Sequence, residues 1–211
     1  MSNNNYIWSK SFPYTAPRDQ QTNAINYVLN SFKNGSKYAI IDCGTGVGKS
    51  AIGLTIADHI NKTSSEYSGI YTDGAYFLTT QKVLQDQYEK DFTKNGLISL
   101  YSSSNYTCDV DKKASCKDIQ TGLRTKSLPK KYDCCGYKCK YKTKKKDFIE
   151  KDLGITNFSY FLTEKNYSKK VPNKKVLVID EAHNLVDAIN QCHNTIVTLP
   201  QLQSALLHLQ A

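Results

Sequence analysis

Apolar residues along the chain occur in blocks that predict strands and helices in alternation. Four-residue apolar runs at 38–41, 75–78 and 176–179 have the length of buried parallel strands. Apolar residues spaced three and four apart predict helices on both sides of the first run and after the second. A short strand at 154–157 leads into another helical segment. This order predicts an α/β protein built on a parallel sheet.

The first predicted strand ends in a glycine-rich loop that opens the next helix, Gly44-Thr45-Gly46-Val47-Gly48-Lys49-Ser50. Glycines let backbone N–H groups converge on a phosphate, and the helix N-terminus adds its positive dipole end. In a P-loop the lysine bridges the β- and γ-phosphates of ATP and the hydroxyl after it holds Mg²⁺. Cys43 replaces the first glycine of the P-loop pattern, which is a sterically mild change. We therefore expect these seven residues to bind ATP, with Ser50 on the magnesium ion.

Two carboxylates follow the apolar run at 176–179, which we interpret as a central strand of the sheet. Asp180 is expected to bind Mg²⁺ through water, and Glu181 to orient and polarise the water that attacks ATP. His183 would then lie on the γ-phosphate side and couple the nucleotide state to other elements. Acidic residues also suit a helix N-terminus by themselves. Beside a P-loop, however, they predict a catalytic set of Lys49, Asp180, Glu181 and His183.

Polar residues in two other places are weaker candidates for binding. The amide of Gln21 can donate to and accept from an adenine edge, although a polar first helical turn explains this residue equally well. Thr79, Thr80 and Gln81 follow a predicted strand, where α/β sheets bind their ligands. Hydroxyl and backbone N–H groups there are suited to a nucleic-acid backbone.

The charge of the chain favours a polyanionic partner, nucleic acid first. Its 28 Lys and Arg residues exceed its 19 Asp and Glu residues, for a net charge of +9. Residues 101–150 alone hold 13 basic and 6 acidic residues, a local +7, with five tyrosines and one phenylalanine among them. Basic side chains with interleaved aromatics suit single-stranded nucleic acid, because bases stack while phosphates are paired.

Cysteines are concentrated in the same segment. Five of the seven lie between positions 108 and 139, namely Cys108, Cys116, Cys134, Cys135 and Cys139. The polar N-terminus does not read as a signal peptide and no apolar run approaches membrane length, so we expect a cytoplasmic or nuclear protein without membrane contact. Disulfides are rare in such reducing surroundings, so the cysteines indicate a metal site. Their spacing alone fits zinc and an iron–sulfur cluster equally well.

Together these motifs resemble the iron–sulfur superfamily 2 helicases of the XPD/DinG type, which carry a DEAH box. The resemblance rests on Phe12-Pro13-Tyr14 with Arg18 and Gln21, the loop at 44–50, Leu78-Thr79-Thr80-Gln81, Ser104-Asn105-Tyr106-Thr107-Cys108, Cys139-Lys140-Tyr141, Thr156-Asn157-Phe158 and Asp180-Glu181-Ala182-His183-Asn184. It implies a RecA-like P-loop lobe and an ATP-dependent DNA helicase that moves 5′ to 3′ on single-stranded DNA. Arg18 and Gln21 correspond to the adenine-reading motif of that family.

The resemblance also implies a 4Fe–4S cluster held by four cysteine thiolates. We assign Cys108, Cys116, Cys139 and Cys135 as its ligands. Cys134 is the alternate to Cys135, because neighbouring residues rarely both reach one cluster. A four-thiolate zinc site stays the chemical alternative. Cys43 and Cys192 lie outside this group and are expected to be small core residues.

The resemblance divides the chain into three parts. Residues 1–100 form the first part of the lobe, residues 101–150 the small cysteine-rich insertion, and residues 151–211 the second part of the lobe. The last part contains the DEAH box and, from Pro200, the start of an arch-like helix. The second lobe that carries the arginine fingers of this family has no counterpart in these residues, so we expect it elsewhere in the same or another chain. We expect the isolated chain to be inactive without it.

Two other functions are compatible with the same residues. One is a nucleic-acid-binding module with a metal knuckle and a vestigial ATPase, and the other is an ATP-dependent switch that acts on a protein. ATP hydrolysis stimulated by nucleic acid separates the helicase from both.

Overall fold

The computed structural model describes residues 6–63, 72–125 and 139–193. Its centre is a four-stranded sheet whose paired strands are all parallel, in the order β2-β3-β1-β4. The strands are β1 (Thr72–Thr79), β2 (Leu97–Leu100), β3 (Leu153–Asn157) and β4 (Lys174–Ile179). The α/β class and the parallel sheet predicted from the sequence are confirmed.

Helices cover both faces of the sheet. They are α1 (Asp19–Lys33), α2 (Lys49–Thr63), α3 (Lys82–Phe92), α4 (Cys116–Arg124), α5 (Lys140–Glu150), α6 (Phe158–Thr163) and α7 (Leu185–His193). Phe77 of β1 packs in one core cluster with α2 and α3, whereas its neighbour Tyr76 packs in another with α5 and α6. Alternate residues of β1 therefore serve opposite cores, as the two-residue period of a strand requires.

The helix that follows the glycine loop lies very close to β4. A Cβ atom built on Gly53 of α2 would lie 3.0 Å from Val178 of β4. The glycine thus lets the backbone of α2 approach the strand that carries the two carboxylates. On its other side α2 packs against α1 through an apolar cluster that contains Ile25, Ile52 and the buried Trp8.

The first apolar run was wrongly expected to be a buried strand, and the run at 176–179 was wrongly expected to be central. Residues 38–41 belong to no strand, and Tyr38 and Ile40 are 87% and 90% exposed. Within the described ranges β4 pairs only with β1, so it lies at the edge of the sheet. A strand needs a hydrogen-bonded neighbouring strand as well as apolar residues. Among the described residues, no strand pairs with the segment at 38–41.

Strand β2 was not predicted from the sequence. It begins directly after Gly96, whose backbone is left-handed. Leu97 and Leu100 of this strand are buried. The buried face of α3 also differs from the apolar pattern, because Val83 is 74% exposed while Gln85 is buried. The Gln85 amide donates to Ser99 Oγ and to the Leu100 carbonyl, both at 3.0 Å, and so joins α3 to β2.

Aromatic residues at 101–150 that were expected to stack on bases lie partly in the core instead. Phe148 and Tyr141 of α5 are 1% and 6% exposed and pack in the cluster of Tyr76. Tyr106 packs against the Tyr141 ring at 5.5 Å between centroids. Their apolar area holds α5 on the sheet, so these rings are not free to bind nucleic acid. Tyr132 and Tyr137 lie outside the described residues.

A buried lysine fixes the end of α5. Lys174, at the start of β4, donates to the carbonyls of Lys151 and Asp152, the second at 3.2 Å, and lies over the Tyr76 ring. Burial lowers the pKa of Lys174 to about 8, against a smaller opposing effect of Asp152. None of the helices in the described ranges is both long and apolar enough to cross a membrane.

Candidate nucleotide site

The candidate site lies where three strands end at the same edge of the sheet. The backbone N–H of Asp180 donates to the Leu78 carbonyl at 2.9 Å, which continues the pairing of β4 with β1. The Asn157 side chain, at the end of β3, donates to the Thr80 carbonyl at 3.1 Å and accepts from the Ser159 N–H at 2.9 Å. Parallel pairing therefore gathers the predicted polar residues at one edge.

The glycine loop adopts the left-handed backbone that its sequence allows. Gly46 and Gly48 have φ values of +81° and +86°. A Cβ atom on Gly48 would also lie 2.5 Å from the Gln21 side-chain nitrogen. The left-handed backbone conformation thus favours glycine at position 48, and any side chain there would displace the Gln21 amide.

Arg18 and Gln21 hold the loop from the side of α1. Arg18 Nη1 donates to the Gly46 carbonyl at 2.7 Å, and Gln21 Nε2 donates to the Val47 carbonyl at 2.9 Å. Gln21 Oε1 accepts from the Arg18 N–H at 2.9 Å, and the Gln21 side chain is buried. The two residues thus lie beside the P-loop, whereas contact with an adenine stays a prediction.

The lysine of the loop faces the acidic end of β4. Lys49 Nζ lies 3.8 Å from Glu181 Oε1 and donates to the Cys43 carbonyl at 3.4 Å. His183 Nδ1 lies 3.3 Å from the other carboxylate oxygen of Glu181. The structure thus brings together the predicted residues of the P-loop and the DEAH segment, which are about 130 positions apart in the chain.

A buried tyrosine is influenced by one of the carboxylates of the site. Tyr88 was expected as part of the apolar face of α3, and it is 3% exposed. Burial and the charge of Asp180 raise its pKa well above the usual range. A tyrosine among the apolar positions of a helix gives no sequence signal of this electrostatic influence.

Three of the predicted metal ligands lie on neighbouring elements. The Cys108 N–H donates to the Ala114 carbonyl at 2.9 Å and the Cys116 N–H donates to the Tyr106 carbonyl at 2.7 Å, which folds this segment back on itself. Cys139 immediately precedes α5, and its Sγ lies 3.4 Å from Cys116 Sγ. Cys108 packs in a small cluster with Cys139. Cys134 and Cys135 lie outside the described residues.

These thiols do not form a complete metal site by themselves. Among the residues that the structure describes, no three His, Cys, Asp or Glu side chains are grouped so that they could hold a metal ion. Sulfur is nevertheless the donor that both zinc and iron–sulfur clusters take from proteins. The three cysteines therefore fit part of such a site in donor type and location.

Comparison with known families identifies the kind of protein that has this site. The family model described as the type III restriction enzyme, res subunit, matches residues 14–207. The chain belongs to this family. Family membership supports a superfamily 2 helicase domain, in agreement with the parallel sheet and the loop–carboxylate site.

Two curated relatives support the same assignment over shorter segments. The chain is 37% identical over 67 residues to the ATP-dependent DNA helicase chl1 of Aspergillus niger. It is 53% identical over 34 residues to the protein of the same name in Aspergillus clavatus. The matched segments cover 30% and 16% of this chain, but only 8% and 5% of the two helicases.

Glu181 has a backbone conformation that is rare for a residue with a side chain. Its φ and ψ are 53° and 49°, in the left-handed region, and a short 3₁₀ turn at Ala182–Asn184 follows. Left-handed backbone costs a non-glycine residue roughly 1–2 kcal/mol. Strain of this kind is often retained at functional sites.

We predict that Glu181→Gly unfolds at a higher urea concentration than Glu181→Ala. Both variants lose the carboxylate, but only glycine relieves the left-handed strain, so the gain should be about 1 kcal/mol. Urea denaturation followed by circular dichroism measures the difference. Equal stability of the two variants, or a more stable alanine variant, would contradict the strained conformation.

Proposed function

We propose that this chain is the ATP-binding lobe of an ATP-dependent DNA helicase of the iron–sulfur type. The observation that carries the proposal is the approach of Lys49 to Glu181 at the edge where β1, β3 and β4 end. A P-loop lysine facing an acidic pair is the arrangement that NTP hydrolysis requires. The family match and the two helicase relatives support the same reaction.

Each residue of the site has a defined part in this proposal. The loop at 44–50 and the N-terminus of α2 cradle the phosphates, and Lys49 exchanges its contact with Glu181 for the β- and γ-phosphates. Ser50 and Asp180 would hold Mg²⁺, and the ion would supply positive charge to offset the charge that develops on the transferred phosphoryl group. Glu181 then orients the attacking water, and His183 senses the state of Glu181 through their contact at 3.3 Å. Full hydrolysis also needs an arginine from outside this lobe.

Single-stranded DNA is the nucleic acid that we propose as substrate, with movement from 5′ to 3′ as the resemblance implies. Lysines of α5 supply the charge for phosphate contacts. Lys140 and Lys146 have side chains that are 72% and 71% exposed, and Lys142 is also exposed. Because the nearby aromatic rings are buried, we assign this surface to the phosphate backbone and not to the bases.

The cysteines are proposed to hold a 4Fe–4S cluster that fixes the segment at 101–150. Cys108, Cys116 and Cys139 are three of the ligands, and Cys135 or its neighbour Cys134 is the fourth. The cluster would act as a structural cross-link between two chain segments, because Cys108 and Cys116 lie in one folded-back segment and Cys139 immediately precedes α5. Zinc in a four-thiolate site is the alternative that the metal analysis below distinguishes.

Nucleotide binding should depend on Lys49. We predict that Lys49→Ala reduces the affinity for Mg²⁺–ATP at least tenfold, because the contact of the lysine with the β- and γ-phosphates is lost. Isothermal titration calorimetry on the 211-residue chain measures this. The matched control is Lys62→Ala, at the other end of α2, where Lys62 contacts Asp58. Equal affinities of wild type and Lys49→Ala would overturn the nucleotide site.

Binding of single-stranded DNA should depend on the exposed lysines of α5. We predict that replacing Lys140, Lys142 and Lys146 by Gln weakens binding of an oligonucleotide. It should also lower the slope of log K against log salt by about 2, since single strands give about 0.7 per phosphate. Fluorescence anisotropy at several salt concentrations measures both.

The control for charge alone replaces Lys33, Lys90 and Lys170, which are exposed elsewhere, by Gln. This variant loses the same three charges and should keep the wild-type slope. If both triple variants bind alike, the surface of α5 is not the DNA site.

The iron content of the protein should depend on the proposed cluster cysteines. Protein purified without oxygen is predicted to be brown, with about four irons per chain for one cubane. Cys116→Ser should lose the colour and most of the iron, whereas Cys43→Ser, in the P-loop, should keep both. A colourless wild-type protein with one zinc per chain, from iron-replete cells, would instead establish the zinc alternative.

A further inference from the structure

A small cavity lies at the edge of the sheet where strands begin, opposite the edge that carries the nucleotide site. Its volume is about 180 Å³. Leu153, the first residue of β3, lines this cavity, and so does Lys94, in the short turn that precedes β2. Because the paired strands are parallel, the length of the sheet separates the cavity from Lys49 and Glu181. The cavity is therefore not part of the nucleotide site.

Positive charge is in excess among the residues that line this cavity. Lys10 and Lys94 are exposed, and neither forms an ion pair with a described residue. The third lysine of the lining, Lys62, is bound at 2.5 Å to Asp58, which is the one carboxylate among the described lining residues. The pair of Lys62 and Asp58 is neutral as a whole. Lys10 and Lys94 thus supply two positive charges that no neighbouring carboxylate offsets.

A buried hydroxyl lines the same cavity. Ser11 is only 7% exposed, and no described residue forms a hydrogen bond with its hydroxyl group. A buried hydroxyl is costly unless it is hydrogen-bonded, so this group points to a ligand in the cavity. Asn95 adds an exposed side-chain amide at the rim. The cavity therefore offers hydrogen-bond donors of two charged and two neutral side chains.

The two turns that carry these groups are anchored in the core. Trp8, directly before the 3₁₀ turn Ser9–Ser11, is 1% exposed and donates from its ring nitrogen to Asn26 Oδ1 at 2.8 Å. Phe92, directly before the 3₁₀ turn Thr93–Asn95, is also 1% exposed. The backbone of both turns is thus held in place without a ligand, which lowers the entropic cost of binding.

We propose that this cavity binds a phosphate group, which Lys10, Lys94 and the Ser11 hydroxyl hold. Lysine ammonium groups only donate hydrogen bonds, and they bind phosphate oxygens as point charges. Leu54 and Leu153 are buried beneath them, and this apolar wall strengthens the attraction between opposite charges. The cavity has room for roughly six water molecules. That space suits orthophosphate, pyrophosphate or the phosphate group of a phosphorylated side chain.

The test measures binding of pyrophosphate by isothermal titration calorimetry in a Lys49→Ala background, where the P-loop lysine does not contribute. We expect this protein to bind pyrophosphate. Replacing Lys10 and Lys94 by Gln should weaken the affinity at least tenfold, because two charge-assisted hydrogen bonds are lost. Ser11→Ala should weaken the affinity several-fold, since it removes one neutral donor.

A variant with the opposite expected effect is Asp58→Asn. It removes the one negative charge of the described lining and releases Lys62, so pyrophosphate should bind more tightly. The matched control for charge replaces Lys33 and Lys170, which are exposed elsewhere, by Gln. This control should keep the affinity of the background. Circular dichroism checks that each variant is folded.

Orthophosphate and a phosphoserine peptide, titrated in parallel, distinguish the sources of the phosphate group. Tighter binding of the peptide, with the same dependence on Lys10 and Lys94, would identify a phosphorylated protein as the ligand. Tighter binding of the free anions would identify an inorganic phosphate.

Three results would overturn the cavity as a phosphate site. They are no binding of pyrophosphate, an unchanged affinity without Lys10 and Lys94, and an equal loss in the control for charge. In a chain with Lys49 intact, a parallel loss of Mg²⁺–ATP affinity without Lys10 and Lys94 would also contradict a separate site. Failure of the nucleotide site itself leaves this proposal standing, because none of its residues belongs to that site.

Discussion

The parallel pairing of β1 with both β3 and β4 is the constraint on which the site depends. Pairing aligns Leu78 with Ile179 and Thr79 with Asn157, so three strands end at the same level. The missing side chain of Gly53 then lets α2 lie close above Val178 of β4. Together these contacts bring the start of α2 to the end of β4, which is why Lys49 faces Glu181. A different strand order would leave the two motifs apart.

Groups of the site that would contact nucleotide are bonded to one another in this structure. Lys49 contacts Glu181 and the Cys43 carbonyl, and Gln21 binds the Val47 carbonyl. A polyphosphate must therefore compete with a protein carboxylate for the lysine. In the proposed mechanism, that exchange would release Glu181 from the lysine and leave its carboxylate available to orient water. The left-handed backbone of Glu181, just after the end of β4, sets the direction of its side chain.

The basic segment is less positive at its surface than its composition indicates. Lys144 contacts Glu89 of α3, and Lys145 contacts Glu164 at 2.6 Å with both side chains mostly buried. The Tyr141 hydroxyl lies 2.6 Å from that of Tyr160 in α6. These contacts attach α5 to the lobe, so among the described residues of this segment part of the charge and several of the aromatic rings serve folding. The sequence pattern of basic and aromatic residues did not distinguish these roles, because both use the same residue types.

What the sequence determined is mainly local. The spacing of Gly44, Gly46 and Gly48 before Lys49, and the apolar run before Asp180, are local patterns that predicted the loop, the helix start and the strand end. Tertiary structure alone decided which strands pair, that β4 lies at an edge of the described sheet, and that Gln85 is buried while Val83 is exposed. Those features arise from contacts between segments far apart in the chain, and apolar periodicity records only how much of a segment is buried, not which partner buries it.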